Sequence, residues 1–182
     1  MNRGLVVLHD SSEASAPLFA FYFHNQPDNR GRRLSDILAR DDEWLEHTPD
    51  YVQFVFPLPE PSGSNRDAPL LDDRTVAAFQ SSDVLRDRLW SAYLRMLRFY
   101  GLHEHAGRVD KGPKWDERKE NWATAPTHND QRITRMLRSM CLLGLRTEAE
   151  AFKACLLRLA RDPECNFDED TLAYWRGATT EV

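Results

Sequence analysis

Between residues 83 and 100 the apolar positions Leu85, Leu89, Tyr93, Met96 and Tyr100 recur at steps of four, four, three and four, which stacks them on one face of a helix. Arg88, Ser91, Arg95 and Arg98 fall on the opposite face, and Trp90, Leu94 and Leu97 widen the apolar arc, so this segment reads as a central core helix stopped by Gly101. A second amphipathic helix follows Thr127 and runs to Leu143, with Ile133, Met136, Leu137, Met140 and Cys141 on its core face and Gly144 as its stop. Thr147 with Glu150 forms a capping-box pattern for a helix to about Arg161, and Asn166 with Glu169 forms another for a last helix ending at Gly177. Upstream, Thr48 followed by Pro49 starts a short helix that must end before Pro57. Asp72 or Asp73 caps a helix through Phe79, and Ser81 or Ser82 caps the core helix.

The segments between are punctuated. Residues 58–70 carry Pro59, Pro61, Gly63 and Pro69 and read as an extended surface connection. Residues 101–127 are rich in Lys, Asp and Gly and read as a long irregular loop partly anchored by Trp115 and Trp122. Leu5 to Leu8 is the one candidate strand. The predicted fold is all-α: a single bundle-like domain of about seven helices over residues 19–178, with residues 1–18 as an N-terminal extension.

At 182 residues, with 41% hydrophobic and 10% aromatic content, the chain can bury a core of its own. Three cysteines, Cys141, Cys155 and Cys165, form no CxxC pair, which suits a reducing compartment and buried thiols acting as small hydrophobes. No apolar stretch approaches the roughly 18 residues of a membrane helix, and the apolar run near the start is too short for a signal peptide. The expectation is a soluble, cytoplasmic protein without membrane insertion. The net charge of −5 is uneven: residues 1–85 hold 7 basic against 14 acidic residues, residues 86–161 hold 16 against 9, and residues 162–182 hold 1 against 6. A basic middle between acidic ends is either a patch for an anionic partner or a set of segments that attract one another; nucleic-acid binding would ask for an overall basic domain.

Two blocks carry a resemblance. LEHTPDYVQFVFPLPEPSG at residues 45–63 and NWATAPTHNDQRITRMLRSMCLLGL at residues 121–145, with FYGL at 99–102 and YWRGA at 174–178, resemble the opioid growth factor receptor conserved-domain family. That family's first block runs roughly H-x-Y-I-Q-W-L-F-P; here Phe54 stands in place of the Trp, Val52 and Val55 replace bulkier aliphatics, and Pro49 interrupts the run after His47. These changes keep apolar packing and lose an indole N–H. The resemblance implies long polar or repetitive extensions in the receptors, and the expectation is that this chain corresponds to the domain alone. What the resemblance implies is a helical fold and a receptor-like role.

Candidate chemistry lies where the two blocks would meet. His128, Arg132, Arg135 and Ser139 step down one side of the second amphipathic helix, starting at its N-terminus, where free N–H groups, an imidazole and two guanidinium groups would hold a phosphate or carboxylate. The alternative is a solvated face with Arg132 paired to an acidic residue. Tyr51 and Gln53 need polar partners if buried, and His128, Asn129 and Arg132 would supply them. The candidate ligand-binding set is Tyr51, Gln53, Trp122, His128, Asn129, Arg132 and Arg135, for a peptide or small anionic ligand. His128 and Ser139 stand about 16 Å apart along a helix, too far for proton transfer. His103 and His105 flank Glu104 without further spaced ligands, His9 beside Asp10 lacks partners, and no P-loop, HExxH, GxGxxG or GxSxG occurs, so no cofactor or metal is implied. Two other readings remain: an enzyme acting on a phosphorylated or nucleotide-like substrate with His128 as acid or base, and a nucleic-acid-associated helical protein.

Overall fold

The computed structural model describes residues 16–63 and 65–180. The expected strand at Leu5 to Leu8 and the His9–Asp10 pair lie outside these residues. Among the described residues the chain forms α1 (Ala16–Phe23), α2 (Leu34–Leu38), α3 (Asp42–His47), a 3-10 turn (Pro49–Tyr51) leading into α4 (Val52–Val55), α5 (Asp73–Ser81) and α6 (Asp83–Phe99). A hairpin, β1 (Leu102–His105) and β2 (Arg108–Lys111), follows, then α7 (Trp115–Arg118) with a 3-10 turn (Lys119–Asn121), α8 (His128–Leu142), α9 (Arg146–Leu159) and α10 (Glu169–Gly177). The fold is predominantly helical, as predicted. The count of about seven helices falls short of the ten among the described residues because several are single turns held by tertiary packing, which leave little periodic signal.

Helix α6 is the central element, with Leu85, Leu89, Tyr93, Met96 and Tyr100 all fully or almost fully buried. Helices α1 and α5 pack against it, and α8 pairs with α9 under α10. The expected caps act as predicted at Asp72, which accepts from the Thr75 N–H at 2.7 Å, and at Ser82, which accepts from Leu85 N–H. They shift elsewhere: α9 starts at Arg146 with no side-chain cap, and Asp168, not Asn166, accepts from the Thr171 N–H that opens α10. Phe54 fills the core against the Phe21 ring, 5.4 Å between centroids, so the indole N–H of the family pattern is not required for packing.

Much of residues 101–127 is regular structure, not the irregular loop expected. Leu102 pairs with Lys111 and His105 with Arg108 in an antiparallel ladder, and Leu102 and Val109 turn inward onto the core. The following turns are pinned by Arg118 Nε, which donates to Phe99 O at 2.7 Å, and by the buried rings of Trp115 and Trp122. The four-residue strands are too short to show a period of two, and Asp110 and Lys111, part of the content that suggested a loop, lie within β2.

The uneven charge serves the fold. Arg95 pairs with Asp42 at 2.7 Å, Arg138 pairs with Glu60, Lys111 meets Asp162 at 2.7 Å and Glu164 at 3.2 Å, and Lys119 meets Glu164 at 3.2 Å. Each of these pairs joins the basic middle to one of the acidic flanks, as the self-complementary reading anticipates.

Candidate functional site

The two sequence blocks do meet. Asp41 accepts from the Trp44 N–H at 2.8 Å and opens α3; Pro49 turns the chain into α4, which ends at Phe56 before Pro57. Opposite them Thr127 and Asp130 form a reciprocal capping box: Thr127 Oγ1 accepts from the Asn129 N–H at 3.1 Å, and Asp130 Oδ2 accepts from the Thr127 N–H at 2.9 Å. Between these elements lies a groove of about 770 Å³, walled by the proline-rich 58–63 segment on one side and α8 on the other.

Arg132 is the joint. Its side chain is buried, the residue only 6% exposed, and it donates to Leu45 O at 3.0 Å, Glu46 O at 3.1 Å and Asn129 Oδ1 at 3.3 Å, with its guanidinium 6.0 Å from the Tyr51 ring centroid. It therefore satisfies carbonyls that the last turn of α3 leaves without helical partners. This differs from the expected pairing with an acidic side chain. Asn129 is fully buried and donates to the Glu46 carboxylate at 3.3 Å and to Asn121 O at 3.4 Å. Ser139, on the same stripe, is fully buried as well.

The remaining candidates separate. Tyr51 stacks on Trp44 at 5.6 Å and its O–H points to Met96 Sδ at 3.6 Å, so burial holds the phenol far above its usual range. Trp122 donates from Nε1 to Tyr100 O at 3.0 Å, in the core away from the groove. Tyr51, Trp122 and Asn129 thus stand outside the groove lining; Gln53, His128, Arg132 and Arg135 are on it. Gln53 Nε2 donates to Ser62 Oγ at 3.1 Å, a partner from its own block and not from α8 as expected.

His128 Nε2 lies 3.2 Å from Glu46 Oε1, but burial and the Arg132 charge outweigh that carboxylate and move the imidazole below its usual range. The protonatable imidazole expected at the helix start is thus biased towards its neutral form. Arg135 donates to Phe56 O at 3.0 Å, and burial lowers the affinity of its guanidinium for the proton. It makes no ion pair among the described residues, although Glu60 stands near enough to favour its charge. Among the groove residues that sequence reasoning missed are Glu46 and Glu60, Arg138, which binds Glu60, and Tyr174, which is 68% exposed. Tyr174 was visible in YWRGA, and its exposure follows from Trp175, the next residue, taking the inward side of α10 with Nε1 donating to Asp130 O at 3.3 Å.

Asp130, in the first turn of α8 beside the groove residue His128, gives the helix start a pH-dependent handle. Its Oδ1 is buried without a partner among the described residues, and burial pushes the carboxyl up to about 6. An acid whose folded value is raised contributes fully below its unfolded value near 4 and loses that contribution as pH rises through about 6. Asp130→Asn keeps an acceptor for the Thr127 N–H and cannot ionise. Its melting temperature relative to the parent is expected to rise between pH 4 and 6 and level off above, by an amount equivalent to on the order of 2 kcal/mol. A difference that stays flat across this range refutes the assignment.

All three thiols are free; burial raises Cys141 and lifts Cys155 to about 11, so both behave as apolar groups. Among the described residues no cluster of three or more His, Cys, Asp or Glu side chains is arranged for a metal ion, and no helix is long and apolar enough to cross a membrane.

Fold and groove together define a compact helical domain in which two distant sequence blocks are fastened by arginines reaching to backbone carbonyls. Family comparison gives the same blocks a name. The model of the opioid growth factor receptor conserved region matches residues 15–176, and the chain belongs to that family. The opioid growth factor receptor of Rattus norvegicus is 40% identical over 134 residues, covering 70% of this chain and 22% of the receptor. The Homo sapiens receptor is 40% identical over 133 residues, covering 69% and 18%, and the opioid growth factor receptor-like protein 1 of Mus musculus is 35% identical over 133 residues, covering 70% and 27%. The chain therefore spans about a fifth to a quarter of the length of these relatives. No solved structure matches it.

Proposed function

We propose that the domain is a binding module that takes a small anion, or the anionic group of a peptide, into the groove between the 58–63 segment and α8. Arg135 carries this reading. It is a half-buried guanidinium on the groove lining, held by one carbonyl, with no carboxylate paired to it among the described residues. A desolvated cation in that state gains more from an incoming carboxylate or phosphate than a solvated one, because its hydration is already lost. Gln53 adds an amide beside it, His128 an imidazole, and Tyr174 an exposed ring. The relatives' receptor names agree with a ligand-binding role, and the free thiols fit a cytoplasmic setting. An enzymatic reading has the His128–Glu46 pair on the groove lining, but Ser139, the hydroxyl on the same helix stripe, is buried.

Thermal melting with inorganic phosphate, a nucleotide and a short Tyr-initiated peptide tests the proposal, with sodium chloride at matched ionic strength as the control. A ligand that binds the folded form raises the melting temperature in proportion to its occupancy. Arg135→Gln is expected to cost about 1 kcal/mol or less in unliganded stability and to abolish the ligand-induced shift. Shifts retained in Arg135→Gln, or no shift beyond that of sodium chloride, refute the groove as the binding site.

A further inference from the structure

A second concavity, of about 600 Å³, lies between the start of α3, the end of α6 and the hairpin, and shares no lining residue with the groove. Its floor is closed on backbone. The Gly112 N–H donates to Gly101 O at 2.8 Å; a Cβ on Gly101, whose φ is +73°, would stand 3.0 Å from Lys114 O, and one on Gly112 would stand 3.1 Å from Gly101 O. The close approach of these chain segments requires glycine at both positions, so the lining there is backbone, with Leu102 and Pro113 adding apolar surface.

The charge at its rim is unbalanced. The Asp42 carboxylate already serves two guanidinium groups, Arg95 at 2.7 Å and Arg118 at 3.9 Å, and Asp41 is committed to the Trp44 N–H. Arg98 and Lys114 are exposed on the rim, and their side chains make no hydrogen bond or ion pair among the described residues. In a chain of net charge −5, two uncommitted cations over a backbone floor mark a local excess of positive charge.

We propose that this concavity binds a small organic anion, a phosphate or carboxylate carried on a compact apolar body, with Arg98 and Lys114 taking the charged group and the glycine floor taking the body. The space suits a ligand of that size. Arg98 supplies a planar fork for two anion oxygens and Lys114 a mobile point charge, so the pair accepts either headgroup, and the apolar floor is what separates an organic anion from a bare one.

The test is a titration of the full chain with phenyl phosphate, followed at the backbone amides of Gly101 and Gly112 by nitrogen–proton correlation spectra. Both amides are expected to shift and saturate, and inorganic phosphate is expected to bind about tenfold more weakly, the equivalent of leaving the apolar body unburied. Arg98→Gln and Lys114→Gln, both at exposed positions, each weaken phenyl phosphate by about tenfold while the unliganded glycine signals keep their positions. Arg135→Gln leaves these shifts intact, which separates the site from the groove. Shifts that fail to saturate, equal affinity for inorganic phosphate, or indifference to Arg98→Gln overturn the proposal.

Discussion

Trp122→Ala lowers the stability of the domain by about 4 kcal/mol, seen in guanidinium unfolding as an earlier midpoint with an unchanged slope. The indole is 1% exposed and packs against Tyr100 at 5.1 Å, Trp115 at 6.0 Å and Phe167 at 5.8 Å between ring centroids. These neighbours come from the end of α6, from α7 and from the approach to α10, so the surrounding chain cannot collapse onto the vacated space without moving three elements. Nε1 also donates to Tyr100 O at 3.0 Å, and that carbonyl loses its donor. Trp122→Phe restores much of the ring volume and not the donor, and is expected to recover about half the loss. A loss below about 1 kcal/mol in Trp122→Ala would mean that the site relaxes freely, and that Trp122 is not the structural pin described here.

Arg132→Ala is expected to cost about 3 kcal/mol, a fall in melting temperature of about 6–12 °C for a domain of this size. Three hydrogen bonds go at once, and the carbonyls of Leu45 and Glu46 at the end of α3 are left without this donor. Arg132→Lys separates geometry from charge: a lysine ammonium cannot bridge both carbonyls and Asn129 in the same fork, and is expected to recover less than half of the loss. An unchanged melting temperature in Arg132→Ala would remove Arg132 from the fold's framework and return it to the list of ligand contacts.

Much of the helical framework was legible because its signals are local. The four-and-three spacing in α6 and α8, the caps at Asp72, Ser82 and Thr127 and the stops at Gly101 and Gly144 are decided within a few residues of chain. Helices α1, α2 and α3 were not anticipated. The run Leu18 to Phe23 is apolar on nearly every side, and its Tyr22 O–H reaches Val55 O, a partner far along the chain. The groove was half legible. An arginine on a helix face reads as solvated or as anion-binding, and only the position of α3 decides that Arg132 turns to carbonyls while Arg135, one turn on, has a single carbonyl partner. Tyr174, Glu46 and Glu60 reach the groove from three different elements, and no spacing along the chain announces that meeting.

The bond from Arg132 to Leu45 O closes a stretch of 87 residues. A ribosome adding about 5–20 residues per second needs roughly 4–17 s to cross that distance. Throughout that interval the end of α3 is made but its arginine is not, so the 45–63 block waits on the nascent chain with its last carbonyls turned to water. The join that fixes the groove is therefore a late event in biosynthesis, and synonymous codons that slow translation between the two blocks lengthen the period in which this aromatic segment stands open to chaperones and proteases.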